Sequence, residues 1–229
     1  MITAFLPCRA GSQRVERKNT RPFAGQPDGL LGVKLAQLSE CDEIDRILLS
    51  TNDPEVLEIG KRFANVCPKL IIDIRPEVLC TSETSTDDLI EYVPRVVHNG
   101  TVLWTHVTSP LVDASVYTQL ISAFREGVAA GTCDSLMAVN VLRTFLWSET
   151  APINYDRSVE KWPRTQTLPP LFAINSAAFM IDVKLMQTLR DRIGSRPYKF
   201  EMDEIVSFDI DWEEQFAMAE SLYGARLTR

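Results

Sequence analysis

Short apolar runs alternate with amphipathic stretches over the first two thirds of this chain. Ile2–Leu6, Arg46–Ser50, Lys69–Asp73, Thr101–His106 and Ser135–Val141 read as strands rich in buried positions. Between them, Leu30–Ser39 carries Leu31, Leu35 and Leu38 at helical spacing. A second helix is expected over Pro54–Phe63, with Asp53 as its N-cap and Pro54 at its first position. A third runs over Thr86–Val97, where Pro94 should kink or shorten it. Ala114–Ala129 reads as a fourth. Alternation of strand and helix predicts an α/β fold, a doubly wound and mostly parallel sheet. In such folds ligands lie at the carboxyl ends of the strands.

The pattern weakens after Leu142. Residues 142–170 hold Trp147, Trp162, Pro152, Pro163, Pro169 and Pro170 with little periodicity, and are expected to form an insertion or flap. Phe172–Ile181 returns as a strand and Lys184–Arg190 as a short helix. A last helix is expected from about Trp212, placing Trp212, Phe216, Ala219 and Tyr223 on one face. The whole chain, 1–229, reads as a single domain, with residues 142–198 as an insertion, dimerisation and sugar-site region within it.

Composition narrows the classes. The chain has 229 residues, enough for one α/β core, and a formal charge of -7. That acidity argues against nucleic acid as a partner. No apolar run approaches the roughly 20 residues of a membrane span. No basic segment followed by a long apolar one opens the chain, so no signal peptide is expected. Five scattered cysteines with no CxxC and only two histidines point away from zinc or a disulfide framework and toward reduced thiols in the cytoplasm.

Against this acidic background, Arg9, Arg14, Arg17, Lys18 and Arg21 crowd the loop that follows the first strand. A strand opening into a small-residue, cation-rich loop is suited to polyphosphate. The loop has neither GxxxxGK[ST] nor GxGxxG, so the usual P-loop and dinucleotide fingerprints are absent. A second candidate is Asp209/Asp211. Placed on a strand, the two carboxylates would share one face and suit Mg²⁺, which prefers oxygen ligands. Asp211 and Glu214 also have the spacing of a capping box.

The ordered motifs resemble one family. Pro7, Arg9, Ser12, Lys18 and Asn19 are similar to the opening motif of the acylneuraminate cytidylyltransferases (CMP-sialic acid synthetases). Leu49–Asp53, Arg75-Pro76-Glu77-Val78-Leu79, the Thr81–Thr86 stretch, Thr108-Ser109-Pro110-Leu111, Leu168-Pro169, Asn175 and Phe208–Asp211 continue the likeness. The resemblance implies a Rossmann-like, nucleotide-diphospho-sugar transferase-like fold. It implies transfer of CMP from CTP to the anomeric hydroxyl of a nonulosonic acid, an acidic nine-carbon sugar, with release of pyrophosphate. It also implies a homodimer whose insertion completes the neighbour's site.

By the same resemblance, Arg9, Arg14, Lys18 and Asp211 serve catalysis, and Asp209 and Asp211 hold the metal. Pro7, Cys8, Arg9, Ala10, Gly11, Ser12, Asn19, Arg75, Thr84 and Thr86 line the nucleotide. His106, Arg164, Gln166 and Asn175 face the sugar. Backbone N–H groups over Ala10–Ser12 are expected to add donors to the triphosphate. Four positions depart from the family pattern. Gln13 stands for a lysine, Glu16 lies where a proline is usual, and Ala173 and Val112 replace arginines found in some members. These departures leave pseudaminic, legionaminic or 3-deoxy-octulosonic acid open as the acceptor. They also leave open a nucleotide-binding regulatory module with impaired catalysis.

Overall fold

The structure, a computed structural model, describes residues 1–227. Among these residues seven strands form one sheet. They are β1 (Ile2–Cys8), β2 (Arg46–Thr51), β3 (Leu70–Ile74), β4 (Thr101–Trp104), β5 (Ser135–Leu142), β6 (Leu171–Asp182) and β7 (Pro197–Glu201). Their order is β3-β2-β1-β4-β6-β5-β7. Among the described residues six α-helices pack around it: α1 (Gly29–Ser39), α2 (Pro54–Ala64), α3 (Thr86–Val96), α4 (Ala114–Ala129), α5 (Val183–Leu189) and α6 (Glu213–Leu227).

The expected architecture is present. β1, β2, β3 and β4 run parallel, and β7 runs parallel to β5. β6 is antiparallel to both of its neighbours. Between β5 and β6 residues 143–170 form no α-helix, only a 3-10 turn at Thr165–Thr167, so the crossover typical of a parallel pair is missing there. Apolar side chains of the sheet fill two cores, one on each face. Leu6, Leu31, Leu35 and Tyr117 belong to the first, and Phe5, Trp104, Phe179 and Met186 to the second.

Local chemistry sets most element ends. Asp53 accepts the Glu55 N–H and caps α2, with Pro54 next in line. Ser85 and Asp88 form a capping box at α3, which runs through Pro94 and stops at Val96. The last helix begins one residue later than expected. Trp212 lies outside it and is exposed, while Phe216 and Ala219 are buried. β7 was not anticipated. It is a five-residue edge strand with three of its five residues exposed, too short and too wet to show a pattern.

Candidate active site

The carboxyl ends of β1 and β4 open into a cavity of about 330 Å³. Its walls are Pro7, Arg9, Ser12, Gln13, Arg14, Val15, Lys18 and Asn19 from the loop after β1, and His106, Val107 and Thr108 after β4. The loop is held from several sides. Asn19 is buried and donates to the Arg9 carbonyl, while its own carbonyl accepts the Leu31 N–H of α1. Asn52, after β2, accepts the Ala10 N–H at 3.0 Å. That bond corrects the expectation of three free donors. Only the Gly11 and Ser12 N–H groups lack a partner among the described residues. Gly11 takes φ +77°, a value open to glycine, and so turns the chain there.

The cations divide by partner. Arg9 makes no ion pair among the described residues and lines the cavity. Arg14 bonds Asp211 at 2.7 Å and stacks 5.2 Å from the Trp212 ring. Lys18 donates to the Ile210 carbonyl at 2.8 Å and lies 4.0 Å from Asp211. Burial lowers the Lys18 pKa, and the charges of Asp211 and Asp209 oppose that shift. Arg17 and Arg21 leave the cavity to pair with Glu55 and Glu213. Glu16 also points elsewhere, into a neighbouring cleft with Arg17, Asp53 and Glu55. The acid that looked out of place in the motif is therefore absent from the cavity wall.

Asp209 and Asp211 are not on a strand, contrary to the expectation. They flank Ile210 in an irregular segment. The Ile210 N–H donates to the Thr108 carbonyl at 3.0 Å, and its side chain is fully buried. Anchoring the middle residue inside leaves both carboxylates part-exposed beside Lys18. Nor does Asp211 cap α6. Gln215 accepts the N–H groups of Asp211 and Trp212, so the Asp211 carboxylate stays available to cations. The Ser109 hydroxyl reaches Asp209 at 3.4 Å. Two carboxylates with no nitrogen or sulfur donor beside them suit a hard divalent cation such as Mg²⁺. The described residues contain no cluster of three or more His, Cys, Asp or Glu able to form an all-protein metal cage. Water and phosphate oxygens would have to complete the shell.

Several expected contacts take another form. Cys8 buries its side chain, and burial pushes the thiol up to about 12, so it is neither a wall residue nor a nucleophile. Arg75 is 2% exposed, bonds the Ser50 carbonyl and keeps one N–H, at Nε, without a partner. It is not among the residues that line the cavity. Thr84 bonds Thr81 in a surface turn, and Thr86 is exposed on the first turn of α3, away from the cavity. Arg164 and Gln166 are exposed in the insertion and do not meet the cavity within this chain. Asn175 is occupied. It donates to Asn140, which bonds Ser207 and the Met202 carbonyl, and it accepts the Ala177 N–H. It joins β6 and β5 to the segment that leads into Asp209.

His106 does meet the cavity. Its Nε2 accepts the Trp104 indole N–H at 3.1 Å, which assigns the ring proton to Nδ1. Burial, followed by the charges of Arg192, Lys18 and Lys34, drops its pKa to about 3. It stays neutral and can donate, but it has no free lone pair with which to act as a base.

Lys34 was missed. Fully buried on α1, it donates to the carbonyls of Ser109 and Val112 and to the Tyr117 hydroxyl. It clamps the turn that carries Thr108 and Ser109. Its signal was a lone cation on the Leu31–Leu35–Leu38 stripe.

A family model described as cytidylyltransferase matches residues 3–228. Among curated relatives, N-acylneuraminate cytidylyltransferase A of Danio rerio is 23% identical over 227 residues, 96% of this chain and 50% of the relative. Pseudaminic acid cytidylyltransferase of Campylobacter jejuni is 23% identical over 125 residues, 52% of this chain and 51% of the relative. CMP-N,N'-diacetyllegionaminic acid synthase of Legionella pneumophila is 32% identical over 114 residues, 48% of this chain and 47% of the relative. The chain thus spans about half the length of the curated relatives it matches. Among solved structures, a CMP:2-keto-3-deoxy-manno-octonic acid synthetase complexed with CTP superposes at TM-score 0.68 and 15% identity, covering 98% of this chain and 99% of that one. The 4-diphosphocytidyl-2C-methyl-D-erythritol synthase of Anaerococcus prevotii superposes at 0.70 and 14%, covering 100% and 96%. At these identities the superpositions speak to the fold.

Proposed function

We propose, from the premise that this chain belongs to the cytidylyltransferase family, that it transfers CMP from CTP to the anomeric hydroxyl of a nonulosonic acid. The observation that carries this reading is the meeting of Arg9, Arg14 and Lys18 with Asp209 and Asp211 at the end of the β1–β4 pair. Fixed cations beside a carboxylate pair match the needs of nucleotidyl transfer, in which negative charge builds on phosphate oxygens.

In this reading the anomeric oxygen bonds to the α-phosphorus, and the bridge between the α- and β-phosphates breaks. Pyrophosphate leaves and the hydroxyl proton passes to solvent water. Arg9 and the open N–H groups of Gly11 and Ser12 hold the triphosphate. Lys18, fixed by the Ile210 carbonyl, keeps a charge between the phosphates and the acidic pair. Asp209 and Asp211 would hold Mg²⁺, which supplies Lewis-acid polarisation of phosphate oxygens. His106 donates through Nδ1–H to the acceptor and takes no proton. In this reading the transfer is direct, with no covalent enzyme intermediate: burial raises the pKa of the Cys8 thiol, and His106 has its Nε2 lone pair occupied, so neither is an activated nucleophile. Exposed Trp147, Ile153, Val159 and Trp162 on the insertion suit a homodimer face. Five buried free thiols suit a reducing cytoplasm, and no helix among the described residues is long and apolar enough to cross a membrane.

The test is pyrophosphate release with CTP, Mg²⁺ and a panel of N-acetylneuraminic, pseudaminic, legionaminic and 3-deoxy-octulosonic acids. Release with one of them supports the reading and names the acceptor. CTP binding without release from any of them favours a regulatory binder.

A further inference from the structure

The irregular turn Thr108–Val112, which follows β4, has five successive backbone carbonyls, and each one meets a donor. Thr108 accepts the Ile210 N–H at 3.0 Å. Ser109 and Val112 both accept Lys34 Nζ, at 2.9 Å each. Pro110 accepts the Gln37 amide at 2.6 Å, and Leu111 accepts the Arg226 guanidinium at 2.7 Å. Ser109–Val112 are buried, so a lost donor there leaves a carbonyl unsatisfied. The third Lys34 bond goes to the Tyr117 hydroxyl at 3.0 Å. Thr105 donates to the Ala177 carbonyl, so the Tyr117 proton faces Thr105 and the Tyr117 oxygen is left to accept from Lys34.

Both ends of this arrangement reach the site. Thr108 is a wall of the cavity, and its carbonyl holds Ile210, the residue between Asp209 and Asp211. The Ser109 hydroxyl reaches Asp209 itself at 3.4 Å. On the other side, the Leu31 N–H of α1 takes the Asn19 carbonyl of the phosphate loop at 2.9 Å. One helix therefore grips the cation loop through its first turn and, through Lys34 and Gln37, the turn that supports the acidic pair. An α-helix keeps such attachment points a fixed distance apart. Stability alone gives no reason for the choice of residue. A buried cation facing three neutral acceptors costs more than an apolar side chain on the same stripe.

We propose that Lys34, seconded by Gln37, is a positioning residue that sets where Asp209 and Asp211 stand relative to the phosphate loop. The inference rests on the nucleotidyl-transfer reading above and adds to it the device that holds the two halves of the site in register. Lys34 touches neither substrate nor carboxylate. It acts through the Thr108–Val112 turn, and the turn acts through the Thr108–Ile210 and Ser109–Asp209 bonds.

The test begins on the protein without ligands. In Lys34→Met, amide hydrogen exchange at Ile210 should quicken about 10-fold, while the amides of β2 change less. With CTP present, Mn²⁺ followed by electron paramagnetic resonance should bind roughly 10- to 100-fold more weakly, and kcat should fall by a similar factor. Affinity for CTP in the absence of metal should hold. A merely structural lysine would lower Tm and leave Ile210 exchange, Mn²⁺ affinity and kcat unchanged well below Tm, and that result overturns the proposal. Should Lys34→Met fail to fold, Gln37→Met decides. It removes one donor from the same turn and should move the same three readouts in the same direction by less, and no movement overturns the proposal. A wild type that binds Mn²⁺ and turns over, matched by its variants, removes Lys34 alone. Absence of Mn²⁺ binding and of pyrophosphate release from every acid in the wild type removes the reading beneath, and the inference with it.

Discussion

The two halves of the sheet differ in how they build the site. On the β3-β2-β1-β4 side, parallel strands end together, and the loop after β1 gathers Arg9, Ser12, Arg14, Lys18 and Asn19 around one cavity. On the β6-β5-β7 side, one antiparallel strand and a long excursion replace the regular crossover. There Arg164 and Gln166 stand in solvent, and Asn175 is used for cross-strand bonding. The nucleotide side is set by local chain geometry. In the proposed reading the acceptor side has no comparable loop of its own.

The sharpest way to break this contrast is Asp211→Ala. Turnover should fall roughly 100- to 1000-fold while CTP still binds, measured by pyrophosphate release alongside calorimetry. Near-normal turnover would leave the carboxylate pair without a role. Arg9→Ala comes next. CTP affinity should weaken about 10- to 100-fold, with little change in KM for the acceptor. An equal loss on both sides would erase the division between the halves.

A smaller effect is expected from Asn175→Ala. It unties β6 from the Asn140–Ser207 network and should cost about 1–3 kcal/mol of stability in urea unfolding. KM for the acceptor should move less than stability does. The reverse would return Asn175 to the sugar-binding role that its position in the motif suggested.

The smallest is a pH slope. Burial lowers Lys34 from 10.5 to about 7. From pH 7 toward 10, the unfolded chain binds a proton at this residue that the native protein lacks, so stability contributed through Lys34 rises with pH. Below pH 7 both states are protonated and the burial cost is borne in full. The wild-type-minus-Lys34→Met difference in Tm should therefore grow more favourable to wild type between pH 7 and 9. A flat difference would mean that Lys34 titrates normally.

Much of the first half was legible. Ile2–Leu6, Arg46–Ser50 and the Leu31–Leu35–Leu38 stripe carry their structure in periodicity, and Asp53-Pro54 carries its own cap. The loop cations were visible because they oppose the chain's net charge. What stayed hidden depends on pairing across the sequence. β7 is an edge strand whose stability comes from β5. The Asp209/Asp211 geometry comes from the Ile210–Thr108 bond and from Gln215, so a strand and an Asp211 cap were expected in its place. Lys34 announced itself only as a cation on an apolar stripe.

The central claim is that CMP, and no other piece of the nucleotide, passes to an acidic sugar. Phosphorus NMR of a mixture of protein, CTP, Mg²⁺ and the acceptor acid tests it most directly. The account predicts that the three CTP resonances give way to one phosphodiester signal and pyrophosphate in equal amounts. Appearance of CDP with a phosphorylated sugar or free phosphate, or unchanged CTP in the presence of every acid tried, would contradict it.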